Sequence, residues 1–597
     1  MRNSEIWNVQ STKTAETPAV ALKDAVMRDL LFPWLGLSQS LPLPKFVLFF
    51  EPPIPSTEKR VNTGLPIHDI SRTPFEPTPT QDPLKAIPKH VADFLLEVYV
   101  SRAMSSYPIY YEPWLRLCHL TVFSPANLDP APESTNGAQP YQIYVVSLMM
   151  AVALTTAARS KQARANAMAF KLCEHAMRYL RIVMTNDFRG LQSLVLLHSF
   201  AVMNPAAANV YFLSGYIMEA CIDLGLHQEE PRTEGVDLLE QDLKRRVFWT
   251  AWELDAGCSA GFARPVTLLP KQITTGFPSD FEDSAIHPDF IDSNARKSKF
   301  ICGQVRPFRL IDAEIVSVLF HNHPLDSKYE TFDGWMADVE TRIDGWYQSI
   351  HRSATANQDP SLTAQWEEMS VFADIAHPLI IVGLFRPCPK VKNPTEYNLM
   401  KAFSASVKVA QGYLRQASMG FGSPKYTIQP CHHVFTSAMV FLHALKVCAA
   451  AIASSFSFDE IESFMSEFSQ FFSFTAERWP AAAKCLDEYH RLLRPLKERW
   501  SRYLSASPET QRGMDEKEDP VSLLDPENGL FNFNEYVNEF FDPIDSQLTA
   551  VSSLDSNIIP VEWDGYFDFD RYSYPEWDSS ANNLPTPSER LRATPDA

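Results

Sequence analysis

The sequence contains no pair of closely spaced cysteines. Its nine cysteines are scattered from Cys118 to Cys485, and the nearest two, Cys431 and Cys448, stand 17 positions apart. Without a C-x2-C pair there is no zinc ribbon or zinc cluster to read. An odd, scattered set fits reduced, buried thiols of an intracellular protein better than a disulfide framework. Glycine is also scarce, at 20 of 597 residues, about half the usual share of roughly 7%. Few positive-φ turns are then available, which argues for long helices and against many-stranded sheets. The phosphate-binding G-x-x-x-x-G-K-[ST] loop, the dinucleotide glycine motif and H-E-x-x-H are all missing, which removes three common catalytic signatures. No apolar leader opens the chain, since residues 1–16 are polar.

Positive charge is in deficit as well. The net charge is −19, which opposes a reading as a polyphosphate binder, because such proteins carry a basic footprint. The deficit is uneven. From Asp515 onward there are 19 acidic residues against Lys517, Arg571, Arg590 and Arg592, so this tail is −15 and the preceding 514 residues only −4. Proline is abundant, at 45 residues, with a cluster between positions 33 and 88; such clustering marks linkers rather than helices or ladders.

What is present is helical periodicity. Apolar residues at Leu213, Tyr216, Ile217, Ala220 and Leu224 mark one face of a helix over 211–226, with Gly225 as its C′ residue. A second stripe runs through Leu243, Val247, Ala251 and Leu254, with Glu240 and Asp242 near its favourable N-terminal end. The expected fold is mainly α-helical, in three parts. Residues 1–88 form a poorly ordered Pro-rich segment, 89–506 an all-helical body, and 507–597 a disordered acidic tail rich in aromatics. The apolar run 141–158 is the best membrane-span candidate and reads as a buried core helix, with 435–456 a weaker one; no membrane role is expected.

Several strings invite functional readings beside plainer ones. Lys244, Arg245 and Arg246 could hold nucleic acid, but three cations among acids make a weak phosphate footprint, and a solvated, ion-paired helix face is favoured. Arg264 and Arg386, each before a proline, are expected to clamp loops by bidentate bonds to carboxylates. Trp249 and Trp252 read as core packing, with a ligand pocket between them as the sharper alternative. His321, His323, His432 and His433, the last two beside Cys431, lack a convincing further ligand, so no metal is assigned. Gly257-Cys-Ser-Ala-Gly261 fits G-x-S-x-G, yet a helix precedes Ser259 where a nucleophile elbow needs a strand, so the string reads as a helix-ending turn. Asp280-Phe-Glu-Asp283 would suit Mg2+ in an all-helical enzyme, but no second metal motif accompanies it. No catalytic residue is assigned.

The strings YFLSGYIMEACIDLGLH at 211–227, LKRRVFWTAWELD at 243–255, SAGFARP at 259–265 followed by GFP at 276–278, FLLEVY with YPIY at 94–110, and LFRP at 384–387 occur in order. Together they resemble the middle homology region, or fungal-specific transcription factor domain, of zinc-cluster regulators, over about residues 90–504. Within them, Gly225, Leu226, His227, Arg245, Arg246, Trp249, Asp255, Arg264, Pro265, Arg386 and Pro387 occupy the family's motif positions. The match departs at Tyr211, Glu219 and Ala263, where the family has Trp, a basic residue and Gly. It departs most in lacking the six-cysteine zinc cluster. Either the chain is a cluster-less relative or its start is misassigned, a choice to which the odd apolar stretch at 30–55 lends the second option.

The resemblance implies a nuclear regulator of RNA polymerase II genes rather than an enzyme, acting on a metabolic or secondary-metabolite gene cluster, with metabolite sensing attributed to some members. Zinc would require a cluster this sequence does not contain, so no cofactor is expected. DNA contact would need a supplied module or partner, and homodimers occur in the family. A coregulator bound to another transcription factor is the alternative. In the tail, aromatics kept exposed by surrounding carboxylates are suited to docking in apolar, basic-rimmed coactivator grooves. The best candidates are Phe531, Phe533, Phe540, Phe541, Trp563, Phe567, Phe569 and Trp577. An inert solubilising tail is the plainer possibility.

Overall fold

The computed structural model describes residues 82–505, apart from 125–138, 158–161, 206, 230–234, 262–263, 420–422 and the side chains of 504 and 505. The N-terminal segment to residue 81 and the acidic tail lie outside it. Among the described residues there is no β-strand, only an isolated bridge between Ile286 and Ile291, so the fold is mainly α.

Packed structure starts ahead of residue 89. Pro83 presets a single 3-10 turn whose first N–H is capped by Asp82, and this turn buries Leu84 and Ile87. Helix α1, Lys89–Val98, continues through a π-helical turn at Tyr99–Ala103 and stops before Tyr107-Pro108. Then follow α2 (Glu112–Val122), α3 (Pro140–Ala157), α4 (Gln162–Met177), α5 (Phe188–Met203) and α6 (Val210–Asp223). Helices α7 (Leu238–Gly261), α8 (Phe300–Leu319), α9 (Phe332–Ala356) and α10 (Thr363–Phe385) come next. The described body ends with α11 (Glu396–Ser418), α12 (Gln429–Val447), α13 (Phe458–Ala476) and α14 (Pro480–Ser505).

Chain neighbours pack on each other along most of this series, as α3 with α4, α6 with α7, α10 with α11 and α11 with α12. Longer joins close the body: α1, α2 and α5 surround α3, α14 returns to α12, and α7 touches α12. The central position of α3 explains its composition, apolar on every face. It is long and apolar enough to span a membrane, as is residues 360–385, yet most of its length is buried by its neighbours. The other apolar run, 435–456, breaks at Cys448, where the chain bends by 99°.

Two expected stripes need correction. In α6 the buried line is Leu213, Ser214, Ile217, Met218 and Cys221, while Leu224 sits in the exposed C-cap. In α7 burial wraps all faces from Arg246 to Gly257, because α6, α8, α5 and α12 all touch this helix. A stripe describes a surface helix; a central helix has no polar side to reveal one.

Candidate functional site

Helix α7 carries most of the charged motif positions, and its start is fixed locally. Asp237 accepts hydrogen bonds from the N–H groups of Leu239 and Glu240. The preceding α6 ends in a Schellman turn: Leu226 N–H donates to Cys221 O and Gly225 N–H to Ile222 O, each at 2.9 Å. Gly225 takes φ of +69° there, a conformation that glycine adopts without a Cβ penalty. The turn is tied to the loop after α7 by Thr274 N–H to His227 O and by Thr275 Oγ1 to Leu226 O.

The basic trio splits three ways. Lys244 is the solvated member, paired with Glu240 at 2.8 Å. Arg245 makes a two-pronged contact with Glu229, whose carboxylate also accepts the Gly276 N–H. Arg246 is 0% exposed, which corrects the reading of all three as a solvated face. Its Nε donates to Asp242 at 2.5 Å and Nη1 lies 2.7 Å from Asp283. Asp283 also holds Lys299 and the Glu112 N–H, and Asp242 accepts the Ser279 N–H. The two neighbouring cations hold the Asp283 carboxyl below the usual carboxylate range despite burial. The Asp280–Asp283 segment thus serves as counter-charge to Arg246 and Lys299. Among the described residues no three His, Cys, Asp or Glu gather as metal ligands; His433 bonds to the Tyr413 hydroxyl at 2.7 Å, and His321 is exposed.

Asp255 ties α7 to α6 and to the following loop, accepting from Ser214 Oγ, Thr267 N–H and Thr267 Oγ1. Trp249 and Trp252 donate to Gly276 O and Leu268 O, both at 2.9 Å, with their rings edge-on at 5.6 Å. Ser259 is buried and its Oγ donates to Pro265 O, so the G-x-S-x-G string presents no exposed nucleophile. Arg264 places its guanidinium 4.3 Å from the centroid of the Tyr211 ring. Arg386, ahead of Pro387, lies 4.9 Å from the Phe320 ring, and burial pushes its value down to about 10. Both arginines meet aromatic faces, a contact to which the planar guanidinium is suited.

The ridge of α7 that carries Trp249 continues through Glu253, Gly257 and Gly261 to a cavity of about 80 Å3 that sequence reading missed. Tyr107, Val210, Glu253, Gly257, Gly261 and Arg309 are among its walls, and Gln429 reaches it from α12, donating to Gly257 O at 3.1 Å. Trp249 and Trp252 are not part of the lining. Glu253 is buried and accepts from Arg306 Nε at 2.9 Å, while Arg309 lies 3.5 Å from Asp312. The signal available in the sequence was a lone Glu within the apolar reach 247–256, followed at i+4 and i+8 by glycine. The tail aromatics from Phe531 to Trp577 lie outside the described residues.

Stacked helices joined by buried ion pairs define the body. The model of the fungal specific transcription factor domain matches residues 96–348. The match ends within α9, ahead of the 384–387 string that the motif reading had included. Among curated proteins the chain is similar to pyrimidine pathway regulatory protein 1 of Saccharomyces cerevisiae, 22% identical over 279 residues, covering 45% of this chain and 30% of that protein. It is also similar to the positive regulator of purine utilization of Emericella nidulans, 22% identical over 389 residues, 53% of this chain and 36% of that one. The transcriptional activator protein acu-15 of Neurospora crassa is 24% identical over 250 residues, 40% and 26% of the two chains. The chain thus spans about a third or less of the length of these relatives.

Proposed function

We propose that this chain activates transcription of RNA polymerase II genes of a metabolic pathway, in the nucleus, with the helical body as a non-enzymatic regulatory scaffold and the tail as the activating segment. The names of two relatives, for the pyrimidine pathway and for purine utilization, support a metabolic pathway. The observation that carries the activating role is the tail's composition: 19 acidic residues against four basic ones, with aromatics spaced among them. Carboxylate repulsion keeps such aromatics available, and apolar grooves with basic rims on coactivators take up both kinds of group. DNA recognition is assigned to a module or partner outside this sequence, since its cysteines cannot form the cluster.

Residues 515–597 fused to a heterologous DNA-binding domain should activate a reporter. Alanine at Phe540, Phe541, Trp563 and Phe567 should lower that output more than neutralising an equal number of acids. A silent fusion overturns the activating role. A gel shift by the pure chain would overturn the assignment of DNA contact to a partner, whereas co-purification with a zinc-cluster protein supports it.

A further inference from the structure

We propose that the α7 cavity is a binding site for a small uncharged amide, a molecule of about four or five non-hydrogen atoms that offers N–H and C=O side by side. The hollow exists because α7 places glycine where side chains would fill it. At Gly257 the place of a Cβ is already approached by the Arg309 guanidinium, 3.3 Å away, and at Gly261 no atom stands within 4 Å of it. Glu253, Gly257 and Gly261 recur every fourth residue and so share one ridge of the helix. The glycines of the G-x-S-x-G string thereby acquire a role that Ser259, turned to Pro265, does not have.

Size and charge select the ligand. A volume of about 80 Å3 is roughly half that of an apolar cavity of about 150 Å3 that takes up benzene, which limits the occupant to a few heavy atoms. The charged groups around the site are already matched, Glu253 with Arg306 and Arg309 with Asp312. An ion would therefore enter without a counter-charge, at the desolvation penalty that buried ions carry. A neutral solute escapes that penalty. The Glu253 carboxylate accepts hydrogen bonds and the Arg309 guanidinium only donates them, so an amide answers both at once. Tyr107, Val210 and Ile428 supply apolar surface for its body. An occupant would bridge α7, α8 and α12.

Acetamide, acetate and acetamidinium form an isosteric set differing in charge, and saturation-transfer NMR of their methyl signals on the full chain at about pH 8.5, where Glu253 is ionised, tests the proposal. Acetamide should bind with a dissociation constant on the order of 0.1–1 mM, and each ion at least about tenfold more weakly, as an unmatched charge predicts. Gly261→Leu should abolish the acetamide signal. Gly261→Ala, whose added methyl meets no atom, should weaken it severalfold and decides the matter if the leucine variant does not fold by circular dichroism. The proposal falls if acetamide gives no signal at 20 mM (about twentyfold above the weakest expected constant), if either ion binds as well, or if neither Gly261 variant alters binding.

Discussion

At the residue scale the body is governed by charges taken out of water. Glu253 is the clearest case. Burial pushes its carboxyl up to about 7 from an ordinary 4.5, against the pull of Arg306 and Arg309. Between those values the folded chain keeps a proton that the unfolded chain has released, so stability falls as pH rises across that window. Glu253→Gln cannot titrate, and urea unfolding at pH 5 and pH 7 should show it losing less stability than the parent, by roughly 2–3 kcal/mol. Equal losses would contradict the account. Asp283 is the converse case, a carboxylate shared by Arg246 and Lys299. Asp283→Ala leaves Lys299 unmatched inside the body and Arg246 with Asp242 alone, and should destabilise by about 3–5 kcal/mol in the same assay. A change under about 1 kcal/mol would mean water reaches this network, as for exposed pairs.

At the scale of elements, turns and caps fix where the rods begin and end. Gly225→Ala forces a side chain into the positive-φ position of the α6 Schellman turn and should cost about 1 kcal/mol or more in thermal or urea unfolding. Helix α13 shows the same local logic in its capping box, with Ser457 and Glu460 bonded reciprocally. Such features are legible in a sequence because they depend on neighbours three or four positions away. The C′ role of Gly225 and the all-apolar α3 could be read in that way. The fate of Arg246 could not. Its counter-charge Asp283 arrives from a loop 37 positions downstream, and charge alone does not tell a solvated arginine from one enclosed by such a loop. The cavity was hidden for a related reason, since its walls come from α5, α6, α7, α8, α12 and the turn at Tyr107. Only Glu253 and the two glycines of α7 hinted at it from within one element.

At the scale of the whole molecule, the span that the family model matches, 96–348, lies within a longer helical body, with α10–α14 continuing the same packing beyond it. The −15 tail follows directly on α14. Ion pairs join elements within the body, while the tail sets 19 acidic residues against four basic ones. The most direct measurement is reporter output from the full chain tethered to DNA through a heterologous binding domain, with and without residues 507–597. The account predicts activation by the full chain and its loss on deleting the tail, with both proteins present at equal levels. Undiminished output from the deletion, or none from the full chain, would contradict it.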